Sequence, residues 1–217
     1  MTEFRHFIDG AFTAGTTGKS FENRRPDDGS LIGMVAEGGK AEIDAAVSAA
    51  RAAMKGPWAT MTVEDRSDLM RAIADGITRR FDDFVEAERA DTGQPRGMME
   101  HAFIPRGAAN FKAFADVIKG VSTESFQTET PDGRGALNYA IRKPKGVIGV
   151  ICPWNAPLLL MTWKVAPALA CGNAVVVKPS EETPGTATLL GEVMNDVGVP
   201  KGVYNVVHGF GPDSAGA

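Results

Sequence analysis

Asn155 stands at the end of an apolar run, Val147 to Cys152, that breaks off into Pro153-Trp154-Asn155-Ala156-Pro157. Such a run reads as a buried strand opening into a tight loop. A side-chain amide there can donate an N–H to an oxyanion without adding a titratable charge. It can equally cap the helix that Pro157 begins. Lys178, Ser180 and Glu181 close a second apolar run, 174–178. An acid after the second strand of a βαβ unit can bind ribose hydroxyls, and a lysine can share that task. Glu182 or Thr183 can instead cap a helix starting at Pro184. Lys164 is a charge in an apolar surround, and such residues are seldom buried unpaired.

Other reactive residues form no set. Cys152 and Cys171 have neither framework nor metal spacing and no neighbouring base, so both read as buried packing. His6, His101 and His208 make no ligand group; each reads as solvent-facing or locally hydrogen-bonded. No metal site is expected.

The elements that must position these residues follow from periodicity. Strand 147–152, helix 157–170, strand 174–178, helix 184–198 and strand 203–207 alternate as parallel βαβ units. Ligands of such sheets bind at the carboxyl ends of the strands. That rule selects Pro153 to Asn155, Lys178 to Glu181, and Gly209 to Gly211. Upstream, Phe4 to Ile8 and Ala11 to Thr13 flank Asp9-Gly10 as a hairpin. Leu31 to Ala36 is a strand. Lys40 to Met54 is an amphipathic helix with Ile43, Val47, Ala50 and Met54 on one face. Thr62 caps a helix carrying Leu69, Ile73, Ile77, Phe81 and Phe84, which ends at Gly93. Met98 to Lys119 is a helix bent near Pro105. Residues 125–130 and 136–143 flank a Pro131-Asp132-Gly133 turn as an exposed two-stranded ribbon.

With 43% hydrophobic and 23% charged residues, the chain has the balance of a soluble globular protein. A formal net charge of −4 without a basic cluster argues against nucleic acid. The start, Met1-Thr2-Glu3-Phe4, lacks a signal pattern, and two cysteines suit a reducing cytoplasm. The apolar stretch Ala156 to Val177 is interrupted by Pro157, Lys164, Pro167 and Asn173, so a buried helix and strand fit better than a membrane span. Three parallel strands are fewer than the roughly five or six of a doubly wound sheet. The sequence therefore reads as ending inside a domain.

The series Gly149-Val150-Ile151-Cys152-Pro153-Trp154-Asn155, Trp163-Lys164, Gly172-Asn173 to Glu181 and Gly209-Phe210-Gly211-Pro212 resembles the NAD(P)-dependent aldehyde dehydrogenases, over nearly the whole chain. No Gly-x-Gly-x-x-Gly is present, and the resemblance implies a variant way of holding the cofactor. The implied fold is α/β: an N-terminal helical region, part of a Rossmann-like parallel sheet, and a β-ribbon oligomerisation arm. The implied units are 1–121 (helices and strands of the cofactor domain), 122–145 (ribbon) and 146–217 (the first βαβαβ part).

The resemblance implies Asn155 as oxyanion donor and Lys164 near the active site, in a proton relay or a structural salt bridge. It implies Ile151, Cys152, Pro153, Trp154, Lys178, Ser180, Glu181 and Gly211 at the cofactor, otherwise with Ile151 and Trp154 as core residues. Leu160 and Trp163 would line the substrate tunnel. Glu181 points to NAD over NADP, since a carboxylate repels a 2′-phosphate. The stretches Ile104 to Phe111, Leu137-Asn138-Tyr139-Ala140 and Gly202 to Gly211 resemble the branch acting on 2-hydroxymuconic and 2-aminomuconic semialdehydes. There Arg106 would meet a substrate carboxylate; otherwise it is a surface arginine. The nucleophilic cysteine and base glutamate would lie beyond Ala217, leaving these residues inactive alone. The implied partners are an aldehyde and a second or further copy, as homodimer or homotetramer. A non-catalytic nucleotide-binding or oligomer-interfering fragment and a generic or betaine aldehyde dehydrogenase are the alternatives.

Overall fold

The computed structural model describes residues 2–211. Three parallel strands form as expected: β8 (Val147–Ile151), β9 (Ala174–Lys178) and β10 (Tyr204–Val206). Helix α7 (Pro157–Ala170) connects the first pair and α8 (Gly185–Asp196) the second. Register pairs Val150 with Val177 and Asn205 with Val176. The alternation of β9 divides its side chains. Val175 and Val177 enter the main core, while Ala174 and Val176 meet Ala46 and Ala50 on the other face. Both faces are thus covered, which is why the strand is continuously apolar.

The hairpin does more than close on itself. β2 (His6–Ile8) and β3 (Ala11–Thr13) pair around Asp9 (φ 52) and Gly10 (φ 76), the left-handed pair that a tight hairpin turn requires. β2 also pairs antiparallel with β10, giving a five-stranded mixed sheet in the order β3-β2-β10-β9-β8. The strand expected over Phe4 to Ile8 divides at Arg5. β1 (Thr2–Phe4) runs parallel to β5 (Leu31–Ala36), and β4 (Ser20–Arg24), which periodicity missed, pairs with β5 from the other side. The chain breaks at Arg5 because two separate sheets each take one half of it.

The helices form a layer on the main core. α1 (Lys40–Ala53) buries Glu42, Ala46, Ala50 and Ala53, one position off the expected face; Ile43, Val47 and Met54 pack at its edge. The short α2 (Pro57–Thr60) buries Trp58, whose Nε1 donates to the Gly172 carbonyl (3.1 Å). Thr62 caps α3 (Val63–Arg79) through a reciprocal box with Asp65. The expected single helix to Gly93 is two: α4 (Phe81–Thr92) restarts after Arg80 (φ −104, ψ 28), which pairs with Asp83 and Glu192. The apolar spacing runs through the break because both helices face one core. Gly93 ends α4 in the left-handed conformation (φ 67).

Next come α5 (Arg96–Met98), one wide π turn (Met99–Phe103) and α6 (Ile104–Lys119). The irregularity expected at Pro105 takes that form. Proline has no N–H to return and its ring crowds the turn before it, and the Ile104 N–H reaches back to the Met99 carbonyl. β6 (Ser125–Thr128) and β7 (Ala136–Tyr139) make the ribbon, shorter than expected and exposed along its length. No helix among the described residues is long and apolar enough to cross a membrane.

Candidate active site

The loop after β8 continues the ladder for one residue, the Cys152 N–H donating to the Lys178 carbonyl (3.0 Å), then bends through 154–156 into α7. Asn155 is exposed. Its carbonyl accepts from Gln94 Nε2 (2.7 Å), and among the described residues its side-chain amide has no partner. It does not cap α7. The N-cap is Ala156, and the Leu158 N–H donates instead to the fully buried Glu88 Oε2 (3.0 Å). The amide thus stands free at the positive end of a helix dipole, where negative charge is favoured. Burial pushes the Glu88 carboxyl up to about 8. At neutral pH it is mostly protonated and sets little negative charge beneath this place.

Around Asn155 lie Ile151, Trp154 and Trp163, exposed at 67%, 62% and 54%. The core reading of Ile151 and Trp154 is therefore corrected: the end of β8 and the bend after it turn these side chains outward. Pro153 and Leu160 are half-buried. Lys164 Nζ donates to the Ile151 carbonyl (2.5 Å), tying α7 to the end of β8. Among the described residues this bond, not an ion pair, is what Lys164 makes.

Arg106 is exposed on α6 and has no hydrogen-bond or ion-pair partner among the described residues. The residue after it, Gly107, abuts Leu158, where an added Cβ would stand 2.8 Å from Leu158 Cγ. One turn further along, Asn110 Nδ2 donates to Thr162 Oγ1 (2.9 Å) and the Leu159 carbonyl (3.2 Å). Positions i and i+4 share a helix face, so Arg106 occupies the edge of α6 beside the start of α7.

At the end of β9, the nearly buried Lys178 donates from Nζ to the Pro179 carbonyl (3.0 Å) and to Glu181 Oε2 (3.2 Å). Ser180 is buried, its Oγ accepting from the Glu182 N–H (3.3 Å). Capping by Glu182 or Thr183 is corrected. The first N–H of α8, from Gly185, donates to Asp91 Oδ2 (2.8 Å), and Thr183 Oγ1 is buried without a partner among the described residues. Asp91 also accepts from Asn23 Nδ2 (2.7 Å), and burial pushes its carboxyl up to about 7. After β10, Phe210 lies against Phe21 with ring centroids 4.5 Å apart, and Gly211 is half-buried. Pro212 and the rest of the expected unit to residue 217 lie outside the described residues.

Two further expectations are corrected. His6 and His208 are not solvent-facing; they are hydrogen-bonded, but across the chain rather than locally. Both are buried and stacked at 6.0 Å, and the His208 N–H donates to His6 Nδ1 (3.1 Å). Burial pushes His208 down to about 3, so the pair is neutral. Cys171 is exposed, because it falls at the C-cap of α7, past the packed face; Cys152 is buried as expected.

Glu88, Asp91 and Gln94 escaped sequence reasoning. A signal existed. Glu88 and Asp91 continue the buried stripe of Phe84 and Val85 at helical spacing, where an apolar residue would stand.

The aldehyde dehydrogenase family model matches residues 12–217. The chain belongs to the aldehyde dehydrogenase family. It is 65% identical, over its whole length, to a 2-hydroxymuconic semialdehyde dehydrogenase of Pseudomonas sp. (strain CF600), and 55% identical to a 2-aminomuconic 6-semialdehyde dehydrogenase of Pseudomonas sp.. It spans 45% and 44% of those two proteins. The solved structure of PnpE in complex with nicotinamide adenine dinucleotide superposes with a TM-score of 0.92 at 38% identity, covering 98% of this chain and 42% of that one. The fold is thus that of the matching part of an aldehyde dehydrogenase.

Proposed function

We propose that this chain is the N-terminal part of an NAD-dependent dehydrogenase that oxidises a muconic-type semialdehyde to its acid. The observation that carries this reading is the Asn155 amide at the amino end of α7, without a partner among the described residues. A cysteine adding to an aldehyde creates an oxyanion, and a preplaced neutral donor lowers its energy. Lys178 and Glu181 fit the adenosine ribose of NAD, one donor and one acceptor already 3.2 Å apart at a strand end. Gly211, Ser180 and the 151–154 backbone would complete that contact. The bound nicotinamide supplies the hydride acceptor. Leu160 and Trp163 would wall the substrate, and Arg106 would hold its free carboxylate through paired hydrogen bonds. Lys164 would keep the end of β8 in place.

Neither cysteine of the sequence suits the attack. Burial pushes the Cys152 thiol up to about 11, and Cys171 lies at the far end of α7 from Asn155. The nucleophile and the base that activates water would come from the rest of the family length. The test uses a full-length enzyme carrying this sequence, from its continuing reading frame or by joining residues 1–217 to the remainder of the CF600 relative. It should form NADH with 2-hydroxymuconic semialdehyde, whereas residues 1–217 alone should not. Glu181→Ala should weaken NAD binding several-fold without a change in melting temperature. Activity with betaine or simple aliphatic aldehydes but none with the semialdehyde would refute the substrate; unchanged NAD affinity would remove Glu181.

The ribbon supports a proposal of assembly. Phe126, Leu137 and Tyr139 are exposed at 61%, 66% and 66% on a two-stranded sheet with free edges. Proteins normally cover such edges. The full-length enzyme is expected to be a dimer or tetramer joined through this ribbon, and a monomeric mass in light scattering would defeat this.

A further inference from the structure

We propose that the end of α4 positions the oxyanion donor, with Gln94 fixing where the Asn155 amide stands. Three bonds leave residues 88–94 for the two loops that frame the site. Gln94 Nε2 donates to the Asn155 carbonyl (2.7 Å), Glu88 Oε2 accepts from the Leu158 N–H (3.0 Å), and Asp91 Oδ2 accepts from the Gly185 N–H (2.8 Å). The 154–156 bend belongs to no strand or helix, and Ala156 sits at φ −153, ψ 69. Fixing the Asn155 carbonyl fixes the plane of the peptide that follows it and with it the place of Asn155 Cα, the point from which the side chain leaves the backbone.

Gln94 is itself anchored. Gly93 turns the chain at φ 67, the Gln94 N–H donates to Thr92 Oγ1 (3.3 Å), and that hydroxyl donates to the Glu88 carbonyl (2.7 Å). Glu88, fully buried, holds the other side of the bend. A transition-state donor must be held to about 0.5 Å, so a side chain that never touches substrate governs turnover through this one carbonyl. Gln94 and Glu88 are positioning residues. The inference rests on Asn155 being the oxyanion donor.

A double-mutant cycle in the full-length enzyme tests it. Gln94→Ala should lower kcat roughly tenfold with the KM for NAD nearly unchanged, because the donor is displaced and the cofactor site is not. In an Asn155→Ala background the same change should have no further effect. Gln94→Glu keeps the shape but turns an acceptor toward the Asn155 carbonyl, and should fall at least as far. Glu88→Gln retains an acceptor for Leu158 and should lose less turnover than Glu88→Ala, which removes it. Equal losses from Gln94→Ala in both backgrounds, no loss at all, or normal turnover in Gln94→Glu would each overturn the proposal. Normal turnover in Asn155→Ala alone would instead remove the oxyanion reading and this inference with it.

Discussion

Replacing Asn155 by alanine in the full-length enzyme is expected to lower turnover by roughly 10²–10³-fold, the usual cost of one lost oxyanion donor, about 2.7–4 kcal/mol. The affinity for NAD should stay nearly intact, because the proposed cofactor contacts are the 151–154 backbone, Lys178 and Glu181 rather than the Asn155 amide. Stability should change little as well. The amide makes no hydrogen bond among the described residues, and the first turn of α7 is held by Glu88 rather than by Asn155. Steady-state kinetics, an NAD titration and a melting curve on one preparation separate these effects. A lowered melting temperature with normal turnover would show Asn155 to be structural only.

Arg106→Ala is expected to raise the KM for 2-hydroxymuconic semialdehyde by roughly one to two decades. Charge-assisted hydrogen bonds contribute about 1.5–3 kcal/mol, and about 1.4 kcal/mol is a factor of ten. A neutral aldehyde of similar length should be almost unaffected, since it has no carboxylate to lose. The guanidinium is exposed and unpaired among the described residues, so its removal leaves no buried charge behind. Equal losses for both aldehydes would mean that Arg106 supports the tunnel wall. No loss for either would leave it a surface arginine.

Much of the frame was legible because its signals are local. Asp9-Gly10 specifies a tight hairpin within two residues, and Thr62 with Asp65 a helix start within four. The apolar run at 174–178 could only be a strand buried on both faces. The partners of those elements were another matter. Nothing near residue 7 says that it pairs with Val206, and nothing near residue 185 says that its N–H meets Asp91. Sequence rules for caps look a few residues away, which is why Asn155, Glu182 and Thr183 were open as caps and none of them serves. The division at Arg80 escaped for the opposite reason: the apolar spacing is unbroken because two helices share one core. His6 and His208 read as unremarkable singly and acquire a role only through contact. Asn155, Lys178 and Glu181 were visible because strand ends are where such sheets place ligands. Their supports at Glu88, Asp91 and Gln94 were hidden because they reach the site from a different helix.

Those supports have a consequence for how the molecule opens. Leu158 and Gly185 lie 70 and 94 residues from the carboxyl groups that receive their N–H groups, yet both carboxyl groups sit on one turn of α4. If α4 lifts, two helices lose their first-turn acceptors in the same event. Proteins open in contiguous cooperative units, and here one unit joins the start of α7, after the 154–156 bend, to the start of α8, after the loop that follows β9. In hydrogen exchange, the first turns of α7 and α8 should therefore lose protection together, although α7 precedes α8 by a whole strand. The two halves of the site share a single hinge of stability, set by a helix that borders both.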